Sequence, residues 1–324
     1  MTVQAGIIGL GRWGQVLINA IHEKSEEIVV SSGCTGRKEK VRDYCRAKGI
    51  DLQDNLSDLL ADNSLTAIII ATPHGQHADQ IIACAEAGKH VFVEKPFTLD
   101  RSSAERARDA CASAGVVCAL GHNRRFLPNM SRLREVSAAG EIGDLIHVEA
   151  NISAPGRDYA AEHWRSDPEE CPAGSMTGLG VHMTDALVSV MGQVDQVNAK
   201  TEIRTFGKVM SPVTFMTLRF VSGATGVFST LFQTAPVWFI RVSGNQGWAS
   251  INGYDSLEIR KVGDKKQAIE TFSETNIELA ELEAFANAAK GANSYPISPD
   301  EAVHGTAVFE AIVQSVETGK PVNV

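Results

Sequence analysis

The feature that most limits what this chain can fold into is a repeated change of hydrophobic period through its first third. Val3–Gly9 reads as a strand, and Trp13, Leu17, Ala20 and Ile21 then recur at helical spacing. Ile28–Cys34 reads as a second strand, with a helix from about Lys38 to Lys48 after it. Leu65–Ala71 is nearly continuous in apolar residues, as expected of a strand buried on both faces. A helix over Gln76–Ala87 ends at Gly88, a strand follows at His90–Val93, then a helix at Leu99–Ala114 and a fifth strand at Val116–Gly121. Such β-α-β alternation predicts an α/β layer with a doubly wound parallel sheet.

The pattern stops near His122, where a boundary between a domain over 1–122 and another over 123–324 is expected. Beyond it, Asp144–Ala154, Val194–Thr205, Val213–Val221, Ala224–Gln233, Val237–Ser243, Gly247–Ile251 and Ser256–Val262 read as strands. Only Ser222-Gly223 separates two of them, a connection that favours a hairpin and antiparallel pairing. Helices are predicted at about Asn129–Ala139, Gly180–Met191, Ile277–Lys290 and Pro299–Thr318. The second domain should be α+β, on a large, mostly antiparallel open sheet. Val213, Phe215, Phe228, Phe232 and Phe239 offer apolar surface on either face of it.

Composition excludes several partners. With 30 Lys plus Arg against 39 Asp plus Glu, the net charge of −9 argues against a nucleic-acid binder. Apolar runs such as Ala67–Ala71 fall far short of the roughly 20 residues that a membrane span needs. No signal-peptide pattern is visible at the start. The six cysteines form no Cys-x-x-Cys pair and no zinc-spaced cluster, which leads us to expect reduced thiols, a cytoplasmic setting and no metal.

The chemistry is concentrated at predicted strand ends. Gly9-Leu10-Gly11-Arg12-Trp13-Gly14 matches G-x-G-x-x-G between the first strand and first helix. Gly9 suits the tight turn, Gly11 lets a pyrophosphate approach, and Gly14 lets helix and strand pack closely. Arg12 and Trp13 open the helix, whose free N–H groups attract an anion. After the second strand, Cys34-Thr35-Gly36-Arg37-Lys38 carries no carboxylate until Glu39. That favours NADP over NAD, with NAD still possible: Arg37 and Thr35 suit a 2′-phosphate, unless Arg37 is a plain solvated charge. Thr72 and Pro73, at the next strand end, are placed to shape the wall around the cofactor's ribose and nicotinamide, with His77 either joining them or ordering the loop or capping its helix. Glu94-Lys95-Pro96 ends the fourth strand, where Lys95 can stabilise a developing alkoxide. By spacing alone, Lys95 equally suits an ordinary surface position.

Taken together, the glycine turn, Thr72-Pro73 with His77, Glu94-Lys95-Pro96, Gly121-His122-Asn123-Arg124-Arg125-Phe126, Gly180-Val181-His182-Met183-Thr184-Asp185 and the ending Ser315–Val322 resemble the Gfo/Idh/MocA family. The resemblance spans essentially the whole chain, and Glu-Lys-Pro is its most specific element. It implies an N-terminal Rossmann domain that binds NADP or NAD, and a C-terminal domain whose open sheet makes a homodimer or homotetramer. It also implies an oxidoreductase moving a hydride between nicotinamide and a secondary alcohol of a sugar, cyclitol or related cyclic diol. Lys95 would contact the reacting hydroxyl, and His182 would exchange its proton. Glu94 and Pro96 would line the nicotinamide pocket, and Asn123 and Arg124 would stand near substrate or nicotinamide. Asp185 would orient His182 or bind substrate.

One position departs from the family pattern. Many active relatives carry Asp four residues before this His, where this chain has Gly178. Another carboxylate (Asp185, Glu162 or Asp167) then substitutes, the substrate differs from the usual polyol, or the chain is a non-catalytic dinucleotide-binding regulator. The insert Pro155–Arg165, with Tyr159, Trp164 and Arg165, reads either as part of a substrate site for a polar ring, even a carboxylate-bearing one, or as a surface loop anchored by Trp164.

Overall fold

The computed structural model describes residues 1–156, 163–206 and 209–324, so Tyr159 and Glu162 lie outside the described residues. Backbone packing divides the chain into two compact units, Met1–Asn123 with Asn276–Val303, and Arg124–Thr275 with His304–Val324.

The first unit runs β1 (Val3–Ile8), α1 (Arg12–Ile21), β2 (Ile28–Cys34), α2 (Arg42–Lys48), β3 (Asp51–Leu52), α3 (Leu56–Ala61), β4 (Ala67–Ile70), α4 (His77–Glu86), β5 (His90–Glu94), α5 (Arg101–Ala114) and β6 (Cys118–Gly121). All six strands are parallel, in the order β3-β2-β1-β4-β5-β6. The order reverses direction beside β1, so the turns leaving β1 and β4 meet at the switch point where α/β sheets take ligands. Every residue of β4 is buried, which explains its unbroken apolar sequence. β3 and α3 escape the periodicity because two- and six-residue elements are too short to show one. Asn55 caps α3, its Oδ1 accepting the Asp58 N–H at 3.0 Å.

The second unit holds α6 (Pro128–Ala138), β7 (Leu145–Ala154), α7 (Val181–Met191), β8 (Val194–Phe206), β9 (Val209–Phe220), β10 (Thr225–Phe232), β11 (Val237–Gly244), β12 (Gly247–Asn252), β13 (Ser256–Lys261) and β14 (Ala268–Thr271). α8 (Ile277–Ala289), α9 (Pro299–Thr318) and β15 (Val322–Asn323) end the chain. The nine strands order as β14-β13-β12-β11-β7-β10-β9-β8-β15. Pairing is antiparallel except for β7 with β10, which become neighbours only after α7, β8 and β9 intervene in the chain.

α8 belongs to the first unit rather than to a continuous 123–324 domain. Its apolar stripe packs on α1, β2 and β5, with Leu282 and Phe285 fully buried and Phe285 meeting Phe92 at 5.7 Å between ring centroids. Burying a Phe of this kind contributes roughly 1.5–3 kcal/mol. Periodicity reveals that such a stripe exists but not which sheet receives it.

The alternation in the large sheet assigns its aromatic residues to faces. Phe228 is buried on the helix-covered face, whereas Phe215 and Val227 are exposed on the other. Phe239 pairs with Asn151, Asn151 with Ser229 and Ser229 with Phe215, a row running across four strands on the open face.

Candidate functional site

In the first unit, the predicted cofactor residues gather at the carboxyl ends of β1, β2, β4, β5 and β6. Gly9 has φ +99°, and a Cβ there would lie 2.4 Å from the Ala71 carbonyl oxygen. A Cβ on Gly14 would lie 2.1 Å from the Gly9 oxygen, so neither position admits a side chain. Gly11 is different, since among the described residues a Cβ there would meet nothing within 4 Å. It is also the N-cap of α1 and makes no side-chain capping bond, leaving first-turn N–H groups for a ligand. An open glycine face over an uncapped helix start fits a dinucleotide pyrophosphate. Arg12 lies over the Trp13 ring at 5.6 Å.

At the end of β2, Lys38 is paired with Asp54, whose carboxyl is held below its ordinary pKa first by that hydrogen bond. Arg37 is exposed and makes no ion pair among the described residues. Thr35 precedes it in the same turn. Burial pushes the Cys34 thiol up to about 11, so it is not a reactive thiolate.

The turns after β4 and β5 are fastened together. Thr72 donates its hydroxyl hydrogen to Gln80 Oε1 at 2.7 Å. His77 is fully buried, with Nδ1 2.8 Å from the Pro96 carbonyl oxygen and Nε2 3.2 Å from that of Thr72. His77 is therefore a brace behind Thr72, Pro73, Lys95 and Pro96. Among the described residues, no group of His, Cys, Asp or Glu could hold a metal ion.

Sequence reading missed an acidic cluster beside this turn. Burial pushes the Glu94 carboxyl up to about 7, opposed by the Trp13 indole and Lys95 and reinforced by Glu278. Glu281, on α8, is fully buried, and neither carboxyl oxygen has a hydrogen-bond partner among the described residues. Burial first, then Glu94 and Glu278, raise its pKa well above the ordinary value, which favours the protonated form. Asn123 donates to Glu278 Oε1 at 2.9 Å. The available signal was spacing: Glu281 sits four residues from both Ile277 and Phe285, on the apolar stripe of α8.

In the second unit, His182 lies on α7 and is 8% exposed. Asp185, one turn further on, meets Arg125 in a buried bidentate pair, Nε to Oδ2 at 2.8 Å and Nη2 to Oδ1 at 2.9 Å. Its carboxylate is thus neutralised by Arg125. Arg124 stacks over Trp238 and Tyr254 at 5.1 and 5.9 Å. Trp164 is stacked with His163 and covered by Arg165 at 4.1 Å. Gly178 lies in a π-helical turn, Met176–Gly180, and among the described residues a Cβ on it would approach only Phe232 Cζ, at 4.0 Å. A Cβ at the position of the expected carboxylate thus meets no close neighbour among the described residues.

This fold and these strand-end turns define a nucleotide-binding α/β protein with an added antiparallel-sheet domain. Residues 3–122 match the model of the oxidoreductase family with an NAD-binding Rossmann fold, and residues 130–250 match the Gfo/Idh/MocA C-terminal domain. The chain belongs to the Gfo/Idh/MocA family of oxidoreductases. It is 32% identical over 275 residues to D-xylose 1-dehydrogenase (NADP(+)) 2 of Haloferax volcanii, covering 82% of each chain. It is 28% identical over 236 residues to myo-inositol 2-dehydrogenase of Thermotoga maritima, covering 69% of this chain and 67% of that one. Its fold matches that of aldose-aldose oxidoreductase from Caulobacter crescentus with a TM-score of 0.88 over the full length of both, at 22% identity.

Proposed function

We propose that the chain is an NAD(P)-dependent dehydrogenase acting on a secondary alcohol of a sugar, cyclitol or related cyclic diol. The observation that carries this reading is the Glu94-Lys95-Pro96 turn at the end of β5, braced by His77 to the Thr72 turn and set in the sheet that presents the open Gly11 cradle. A bound nicotinamide supplies the hydride acceptor, and the protein supplies position and electrostatics. Lys95 donates a hydrogen bond to the reacting hydroxyl and stabilises the alkoxide as charge develops. His182 takes the hydroxyl proton as general base and returns it in the reverse reaction. Relatives named as D-xylose and myo-inositol dehydrogenases support this substrate class.

NADP is the preferred cofactor in this reading. No carboxylate stands at the end of β2 to repel a 2′-phosphate, and Arg37 is free of ion pairs among the described residues. The protein works in the cytoplasm as a homo-oligomer, whose contact is the open sheet face bearing Phe215, Val227 and Phe239. No helix of the described residues is long and apolar enough to cross a membrane.

The test is to mix purified protein with NADP⁺ or NAD⁺ and a panel including D-xylose, myo-inositol and cyclic diols, following reduced cofactor by absorbance. Turnover with a lower KM for NADP⁺ is expected. Cofactor binding without turnover across the panel would favour a regulator instead.

A further inference from the structure

Resting on the dehydrogenase reading, we propose that Arg124 is an anion-binding residue of the substrate site, selecting sugar acids over neutral sugars. Arg124 and Arg125 are chain neighbours with the same charge and opposite surroundings. Arg125 is 5% exposed and fully matched by the Asp185 carboxylate. Arg124 is half-buried and has no carboxylate within ion-pair distance among the described residues. Its one hydrogen bond among the described residues runs from Nη2 to the Tyr254 hydroxyl oxygen, at a long 3.4 Å.

This cation is nevertheless held in place. Its guanidinium lies over both the Trp238 and Tyr254 rings, which stack on one another at 6.3 Å and 14°. Trp238 is 2% exposed, on a strand paired on both sides, and so offers a rigid floor. Aromatic faces attract a guanidinium but do not neutralise it, and they leave its N–H edges uncovered. A planar fork with unused donors is preorganised for a carboxylate, which it can grip through two parallel hydrogen bonds.

The Arg125–Asp185 pair gives this cation its relation to the chemistry. Asp185 is three residues after His182 on α7, so the pair ties the Arg124 backbone to the helix that carries the proposed base. A substrate carboxylate on Arg124 would therefore be fixed relative to His182. A neutral sugar would leave the cation uncompensated.

The test is isothermal titration calorimetry on the NADP⁺-loaded protein with three matched pairs: D-glucuronate against D-glucose, D-galacturonate against D-galactose, and D-gluconate against D-glucitol. At least one acid should bind ten times tighter than its neutral partner. R124Q should lower that preference tenfold or more, and R124K, which keeps the charge without the fork, should fall between. NADP⁺ affinity and melting temperature check that each variant is folded, and the wild-type pairs decide if R124Q is not. No acid preference in wild type, or the same preference in R124Q, overturns the proposal. Arg124-dependent acid binding without oxidation of any sugar would sustain it while removing the dehydrogenase reading. Oxidation of neutral sugars with no acid preference would do the reverse.

Discussion

His77 Nδ1 lies 2.8 Å from the Pro96 carbonyl oxygen, while its Nε2 reaches the Thr72 carbonyl oxygen at 3.2 Å. One buried ring thus joins the turn after β4 to the turn that carries Lys95. Both acceptors are carbonyls, which only an N–H on the facing ring nitrogen can satisfy. His77→Ala should cost about 1–3 kcal/mol by leaving buried carbonyls unpaired. It should also raise KM for NADP⁺ about tenfold, equivalent to about 1.4 kcal/mol. Denaturant melts and steady-state kinetics check both, and unchanged values for the two would show that the turns do not depend on the brace.

The two ends of the glycine turn should respond in opposite ways. Gly11→Val places its side chain in open space, so the fold should survive while NADP⁺ affinity falls more than tenfold, about 1.4 kcal/mol. Gly14→Val drives a Cβ to within 2.1 Å of the Gly9 oxygen, and should destabilise the protein by roughly 1–3 kcal/mol or more. Thermal melts with and without cofactor separate the two. A Gly11 variant that binds NADP⁺ normally would contradict the assignment of the cradle.

Much of this arrangement was legible because it rests on local pattern. The period change placed β1, β2, β4, β5 and β6, and the strand-end motifs marked the turns that carry Gly11, Thr72 and Lys95. What escaped depends on contacts distant in sequence. Nothing in the spacing of Leu282 and Phe285 says that α8 closes over β5, more than 180 residues earlier in the chain. The same gap hid the fate of Asp185: its spacing placed it on the His182 face of α7, but its partner Arg125 lies 60 residues away. Glu281 was readable as a charge on an apolar stripe, yet its meaning emerged only with Glu94 and Glu278 beside it.

The acidic cluster fixes a pH dependence of stability. Glu94 and Glu281 both hold their protons more tightly in the folded chain than in the unfolded one. Their contribution is therefore present at low pH, and stability falls as pH rises from the ordinary Glu value of 4.5 through about 7 for Glu94. Glu281 contributes in the same direction, because burial and the neighbouring Glu94 and Glu278 raise its pKa too. Glu281→Gln cannot ionise, so its stability should fall less steeply across this range and exceed wild type by about 1–3 kcal/mol at the alkaline end. Parallel curves for the two proteins would mean that Glu281 does not titrate with folding.

The Arg125–Asp185 pair should act as a stability element. Asp185→Asn leaves a buried guanidinium without its counter-charge, and should cost about 3–5 kcal/mol. Replacing both partners by Met and Leu should recover much of that loss, because no buried charge then remains. Urea denaturation of the single and double variants reads the difference. A single variant within about 1 kcal/mol of wild type would show that the pair is dispensable.

In the proposed function, Lys95 and His182 serve hydride transfer between a nicotinamide and a sugar or cyclitol hydroxyl. Its most direct test is the initial rate of NADP⁺ reduction by the best substrate of the panel, in wild type, Lys95→Ala and His182→Ala, at saturating cofactor. Losses in kcat of at least about 100-fold in each variant, with NADP⁺ still bound, are the predicted result. Near-normal kcat in Lys95→Ala, or NADP⁺ binding with no turnover of any alcohol by wild type, would contradict it.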